Sequence, residues 1–484
     1  MTASTEGPGT PSRPGDSDAL TMSREAMEEL VRLVSTRIME RMEGLSADQP
    51  WRGADREALE PLLREPPPEE GRDPREVVER VVRDVLPVAA RVDHPRFFAF
   101  VPSSATWPGV MADFLAAGFN TFQGTWLGSG GPSQLELVVV DWVREWLGYP
   151  EGAGGLFTSG GSAASLDALV VAREEAGAPE RPVVYMGDQS HSALIRAARI
   201  VGVRPERIRR VSSDGRFRVR VDDLARMIRE DREAGLTPVA ICANAGATNT
   251  GAVDPLEELA DLAAREGIWL HVDAAYGGFA VLTGRGRALL RGIERADSVA
   301  LDAHKWLFQP FEAGCLMVKD VRRLERTFSI RPEYLQDIEL GDQHVNFADR
   351  GLQLTRSFRA LKVWMSIQTF GMKAFRGAVA RGMELADRAE EFIRAAPDLE
   401  LLSEASLGVV CFRVNPAGKS LDEAALEALN ESAQDRVIAG GKAMMSSTRL
   451  NGVYSLRLCI LNHTTTWDDV RETLEAVIEA GASM

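Results

Sequence analysis

Between residues 21 and 45, apolar side chains recur at Met27, Leu30, Val31, Val34, Ile38 and Met42. That three-and-four spacing is one face of an amphipathic helix, which must pack on the body or on a second copy of the chain. The proline-rich stretch EPPPEEGRDP (65–74) breaks the pattern, and REVVERVVRDVL begins a second such helix. From about residue 94 to 310 the rhythm changes. Short apolar runs (PVVYM, PVAICAN, IWLHVDA, SVALDA) alternate with helical stretches such as SAASLDALVVAREEA, SALIRAARIVG and DPLEELADLAAREG. Alternation of this kind predicts an α/β fold with a mostly parallel central sheet and helices on both faces, binding its ligand beyond the carboxyl ends of the strands. Past about residue 375, LELLSE, GVVCFRV and VYSLRLCIL read as strands, with LDEAALEALNESAQ and TWDDVRETLEAVIEA as helices. This is a smaller α+β domain. The expected division is a disordered tail (1–20), a helical segment (21–93), a large domain (94–374) and a small C-terminal domain (375–484).

Composition narrows the function. A chain of 484 residues has room for a large core and several domains. Its net charge of −15 comes with no basic block, which excludes a general nucleic-acid binder. No apolar run approaches the length of a membrane span, and nothing suggests a membrane surface as partner. The opening MTASTEGPGTPSRPGDSD has no apolar core and reads as a floppy tail rather than a signal peptide. Cys242, Cys315, Cys411 and Cys459 lie far apart, with no CxxC or Cys/His cluster. Neither a metal site nor a disulfide framework is expected, and a cytoplasmic location fits.

The chemistry is concentrated at strand ends. SVALDAHKWLF (298–308) carries Asp302, His304 and Lys305 through an otherwise apolar stretch. A lysine there must snorkel out, pair with a carboxylate, or do chemistry. No dinucleotide glycine motif or phosphate loop occurs, but LFTSGGSAASLDAL (156–169) ends a strand on glycines and starts a helix, the makings of an anion cradle. Asp273 follows the apolar strand of IWLHVDAAYGG, where a carboxylate needs a cationic partner. His191 lies in GDQSHSAL and Thr248 in NAGATNTGAVDP, both just past strands. Pyridoxal phosphate requires all of these: a lysine for its aldehyde, a carboxylate for its ring nitrogen, and amides and hydroxyls for its phosphate.

With HPRFFAFVPSSATWP (94–108), TSGGSAAS, DQSHSAL, HVDAAYGG, DAHKW and SFRALKVW (357–364) in this order, the chain resembles the group II pyridoxal-phosphate-dependent amino acid decarboxylases, the family of the aromatic amino acid decarboxylases. The resemblance implies a fold-type-I architecture and an intimate homodimer wrapped by the N-terminal helices. It makes Lys305 the lysine that joins the cofactor's aldehyde and Asp273 the partner of its ring nitrogen. Ala275 packs against the ring, His191 stacks on it, Gly161 and Ser162 hold the phosphate, and Thr248 lies nearby. Asp302 stands where animal members often carry asparagine, and its role is open; His304 is positional.

Two departures bear on substrate and product. The family's pocket positions fall on Val92, Phe100, Val101, Pro102, Ser103, Phe122 and Gly124. Gly124 replaces an expected phenylalanine, which predicts an apolar but enlarged pocket. In the loop after Tyr334, LQDIELGDQHVNFADRGLQL, an alignment with a one-residue gap puts Phe347 where the family places its proton-donating tyrosine. Either Phe347 does stand there, or His344 or a water supplies the proton. The expected function is decarboxylation of an L-amino acid with an aromatic or bulky apolar side chain, giving amine and carbon dioxide. The alternative is an oxygen-consuming decarboxylation to an aldehyde, suggested by Phe347. A non-catalytic binding protein is disfavoured by Lys305 and Asp273 together.

Overall fold

The computed structural model describes residues 20–101, 103–330, 341 and 344–482. Pro102 and the tail up to residue 19 lie outside the described residues. The chain divides into two units, Met1–Ala90 and Arg91–Met484. In the first, Ser23 caps the helix Arg24–Gly44 by accepting the Ala26 N–H. The helices Arg56–Leu63 and Pro74–Arg80 follow, and the Arg37 guanidinium joins the first helix to Glu79 at 2.6 Å. No residue of the first helix is buried, and Met27, Val31, Val34, Met39 and Met42 are exposed.

The second unit is built on a seven-stranded sheet in the order β1-β7-β6-β5-β4-β2-β3. Its strands are β1 (Gly154–Thr158), β2 (Pro182–Gly187), β3 (Ile208–Val211), β4 (Thr237–Asn244), β5 (Trp269–Asp273), β6 (Ser298–Asp302) and β7 (Gly314–Val318). From β3 to β6 every pairing is parallel; β7 runs antiparallel to both β6 and β1. In β1, β2, β6 and β7 every residue is buried, as expected for strands covered by helices on both faces. The register sets Asp273 beside Asn244 on one side and Ala300 on the other. Asp273 and Asp302, the last residues of the neighbouring strands β5 and β6, therefore emerge at the same edge.

A four-stranded antiparallel sheet, ordered β10-β11-β9-β8, forms the C-terminal part from β8 (Leu399–Ser406), β9 (Val409–Val414), β10 (Ser446–Leu450) and β11 (Val453–Cys459). The helices Glu423–Ala439 and Trp467–Ala482 complete it. The helix Ala360–Ala395 leads into it and breaks at Gly371, whose φ of +69° suits glycine. The division expected at 374/375 falls inside this helix. All four cysteines are buried and unpaired. Among the described residues no helix is long and apolar enough to cross a membrane, and no cluster of His, Cys, Asp and Glu could hold a metal ion.

Candidate active site

The site is assembled where β1, β5 and β6 end. Leaving β1, the chain passes Ser159 and Gly160 and starts the helix Gly161–Glu175. Gly161 is required by space: a Cβ there would come 2.8 Å from the Ala275 Cβ and 3.3 Å from Asp302 Oδ2. Gly314 on β7 serves the same cradle, since a Cβ on it would sit 2.4 Å from the Gly160 Cα. The glycines thus bring the helix start, with its unpaired N–H groups, against Ala275 and Asp302.

Beyond β6 the short helix Ala303–Trp306 presents Lys305, whose Nζ lies 2.9 Å from Asp302 Oδ2. Burial alone would depress the lysine, but the charge and hydrogen bond of Asp302, and the charge of Asp273, hold its pKa above the ordinary value. His304 Nε2 is 3.5 Å from the same oxygen, and its Nδ1 accepts the Ala313 N–H at 3.1 Å. Asp273 is pushed up by burial and pulled back by Lys305, by the Ala275 N–H that its Oδ1 accepts at 3.2 Å, and by His191. His191 caps the helix Ser192–Ile200, its Nδ1 accepting the Ala193 N–H at 3.2 Å, and its ring is exposed. Thr248 is half-buried in the loop after β4, which Asn249 ties to Gln189 at 3.2 Å. Ser162 is exposed in the first turn of the cradle helix.

The other candidates lie on other segments of the chain. The Phe100 N–H reaches Ser446 Oγ at 3.3 Å, its carbonyl accepts from Arg457 at 2.5 Å, and its ring is 64% exposed. Val101 is half-buried, and Ser103 is buried with no partner for its hydroxyl. Phe122, Gly124, His344 and Phe347 belong to one cluster. Gln123 N–H donates to the Arg356 carbonyl at 3.1 Å, Ala348 N–H to the Gly124 carbonyl at 2.9 Å, and Trp126 N–H to Asn346 Oδ1 at 2.9 Å. His344 packs edge-on to Trp126 with ring centroids 5.1 Å apart.

Two expectations are corrected. Gly124 does not enlarge a pocket: a Cβ there would meet the Leu354 carbonyl oxygen, and the Phe122 ring lies 2.6 Å from the same point. The space is already filled. Phe347 is not presented from a loop to a substrate. It starts a 3-10 turn, Phe347–Arg350, is wholly buried in the cluster of Leu156, Ala164, Ala168 and Leu316, and lies under Arg356, whose guanidinium is 4.8 Å from its ring centroid. Aliphatic neighbours and a cation on its face make it a packing residue.

One group of residues was not foreseen. Glu136 and Arg356, both fully buried, pair at 2.6 Å. Glu136 also accepts the Phe157 N–H at 2.8 Å and the Gln123 side-chain amide at 2.7 Å, while Arg356 donates to the Phe157 and Gln123 carbonyls at 2.8 and 3.0 Å. The pair joins β1, which leads into the cradle, to the segment carrying Phe122 and Gly124. Glu136 stands within LELVVV, an acid in an apolar run, which was the signal available.

A lysine and an aspartate on adjacent strand ends, facing a glycine-opened helix start across a sheet of this order, fit pyridoxal phosphate: at Gly161 and Gly314 the cradle has no room for a Cβ, and a buried carboxylate oxygen of Asp302 is left unbonded beside it. The molecule is a pyridoxal-phosphate-dependent enzyme of fold type I. Comparison with known proteins gives the family. The pyridoxal-dependent decarboxylase conserved domain matches residues 57–415, and the chain belongs to that family. It is 41% identical over 461 residues to an aromatic-L-amino-acid decarboxylase of Bacillus atrophaeus, covering 95% of this chain and 96% of that one. It is 34% identical over 431 residues to a phenylacetaldehyde synthase of Arabidopsis thaliana, covering 85% and 88%. The crystal structure of Oryza sativa TDC with PLP and tryptamine superposes with a TM-score of 0.91 at 27% identity, over 96% of this chain and 99% of that one.

Proposed function

We propose that the protein decarboxylates an L-amino acid with an aromatic or bulky apolar side chain, releases the amine, and does so as a homodimer. The observation that carries this reading is the Lys305, Asp302 and Asp273 arrangement at the ends of β5 and β6, in a chain whose relatives are named for aromatic amino acids and for phenylacetaldehyde. Bound at this site, pyridoxal phosphate supplies the electron sink that lets carbon dioxide leave the amino acid. Lys305 would hold it through its amine. Asp273, in a dry place, would keep a proton on the ring nitrogen. The N–H groups of Gly161 and Ser162 would bind its phosphate, with Thr248 beside them, and His191 would lie on its ring. Phe100 and Phe122 would supply apolar contact to the substrate.

After carbon dioxide leaves, the substrate carbon must gain a proton to become an amine. The aldehyde alternative rested on Phe347, and the burial of that ring in its own chain's core supports the amine reading instead. Four of the five tyrosines are fixed within the fold. Tyr149 donates to the Ala296 carbonyl at 2.9 Å, Tyr185 to Asp231 at 2.9 Å and Tyr454 to Gln434 at 2.6 Å, and the Tyr276 oxygen accepts the Gly408 N–H at 2.6 Å. We assign the proton to His344, with a water as the alternative; the fifth tyrosine, Tyr334, lies outside the described residues. The test offers the purified protein a panel of aromatic amino acids and follows carbon dioxide, amine, oxygen and peroxide together. Amine should match carbon dioxide with no oxygen consumed, and His344→Gln should divert a large share of turnover to aldehyde and peroxide. Aldehyde from the wild-type protein would overturn the amine reading; no turnover of any aromatic amino acid would overturn the substrate class.

A further inference from the structure

Phe100 holds a backbone conformation that an aromatic residue rarely takes. Its φ is +57°, in the left-handed region that favours glycine, and its ring is 64% exposed. An L residue stays there only where its surroundings outweigh the strain, and such residues gather at ligand clamps. The C-terminal sheet supplies the restraint. Ser446 on β10 and Arg457 on β11 face each other in register. Ser446 Oγ accepts the Phe100 N–H at 3.3 Å and an Arg457 Nη1–H at 2.8 Å, while Arg457 Nη2 donates to the Phe100 carbonyl at 2.5 Å. The backbone of one residue is thus held on both sides of its Cα.

Arg457 is an unusual group for that task. It is only 4% exposed, its Nε is buried without a partner, and among the described residues no carboxylate pairs with it. Burying a guanidinium without a counter-charge opposes folding. Its hydrogen bonds go to Phe100 and to the serine that also holds Phe100. The segment carrying Phe100 is itself anchored at both ends beside Lys305. The Phe98 carbonyl accepts the Cys459 N–H at 3.1 Å, and the charge of Lys305 acts on the Cys459 thiol. At the other end the Thr106 N–H donates to the Phe308 carbonyl at 2.9 Å, and the Phe308 N–H to the Lys305 carbonyl at 3.2 Å. Between these anchors Val101 packs on the core that contains Trp306 and Phe308. The Phe100 ring is left free.

We propose that Arg457 and Ser446 are positioning residues for substrate binding: they lock Phe100 in its left-handed conformation and so fix the aromatic face against which the substrate side chain is placed. Neither touches the substrate. Without the lock the Phe100 backbone relaxes to the extended region, and its ring leaves that position. The fit of the substrate side chain is therefore set from the C-terminal sheet. The inference rests on Phe100 lying against the substrate, as proposed above, and the experiment reads that separately.

The holoenzyme is assayed for KM and kcat with phenylalanine. Binding of 3-phenylpropanoate, which has the ring and the carboxylate but no amine to react, is measured by calorimetry. KM and the Kd of the analogue should rise by about tenfold in Arg457→Met, the scale of one misplaced apolar contact. They should rise by a smaller factor in Ser446→Ala, which keeps the bond to the Phe100 carbonyl. A merely structural role would reduce the active fraction, lowering kcat and leaving KM and Kd alone. Phe100→Gly decides the route, because glycine takes a φ of +57° without strain and has no ring. Adding Arg457→Met or Ser446→Ala to Phe100→Gly should change KM and Kd no further. Unchanged KM and Kd in both single variants, or the same rise with and without the ring, overturns the proposal. If Phe100→Gly alone leaves KM and Kd at their wild-type values, Phe100 is not a substrate contact and that earlier reading falls instead. Should Arg457→Met be unstable, Ser446→Ala carries the same comparison, and the calorimetric arm stands without turnover.

Discussion

Asp167 lies on the buried face of the helix Gly161–Glu175, where its carboxylate meets the Leu352 N–H and the charge of Arg356. Burial outweighs both and lifts its pKa from 3.8 to about 7. Between those values the folded chain holds a proton that the unfolded chain has lost, so stability falls as pH rises through that window. Asp167→Asn removes the titration and keeps an acceptor for Leu352. The variant is expected to unfold at higher denaturant than wild type at pH 8, by roughly 2–4 kcal/mol, with the advantage shrinking as pH is lowered toward 5. A variant less stable than wild type at pH 8 would contradict this. Residues of this kind were legible in sequence only when a charge interrupted an apolar strand. Lys305 and Asp273 stood out because a charge at the end of such a strand has few comfortable places. The fates of Gly124 and Phe347 were not legible, since each depends on the Leu354 carbonyl or the Arg356 guanidinium arriving from a segment with no periodic pattern.

At the scale of elements, the alternation of apolar runs and helices sufficed for the parallel core, because every βαβ unit repeats it. It gave no sign of direction for β7. GCLMV is buried at every position, and a run of that kind reads the same parallel or antiparallel. β3 (IRRV) sits at the sheet edge, half-exposed, and its two arginines hide it from a search for apolar runs. The Glu136–Arg356 pair spans 220 residues of sequence, beyond any local signal. It fixes the helix Trp126–Leu147 to β1 and to the segment around Gln123: three hydrogen bonds end on Glu136, and two more run from Arg356 to the Phe157 and Gln123 carbonyls. Glu136→Gln leaves the guanidinium buried without its counter-charge. A loss of about 3–5 kcal/mol is expected in denaturant unfolding. A loss below about 1 kcal/mol, the range of exposed pairs, would show that the pair is not what holds these elements together.

For the whole molecule, the first unit carries an apolar stripe with no buried residue on its longest helix. Met27, Val31, Val34, Met39 and Met42 on one helix are more apolar surface than a monomer usually leaves in water. A second copy of the chain is the expected cover. The protein should sediment as a dimer at micromolar concentration, and an active, monodisperse monomer would contradict this.

The buried cysteines allow the opening of the molecule to be timed. Burial raises all four thiols, Cys459 to about 11 and Cys411 to about 12, with Cys242 and Cys315 also raised. Since only the thiolate reacts, an alkylating reagent at neutral pH should find nothing to modify while the chain is closed. Two of these thiols lie in the seven-stranded sheet and two in the four-stranded sheet. Timed alkylation read by mass spectrometry would therefore act as a pair of stopwatches, one per sheet. Equal rates would mean that the sheets open as one cooperative body; a faster pair at Cys411 and Cys459 would mean that the C-terminal sheet opens first. Prompt alkylation of all four without denaturant would contradict their burial.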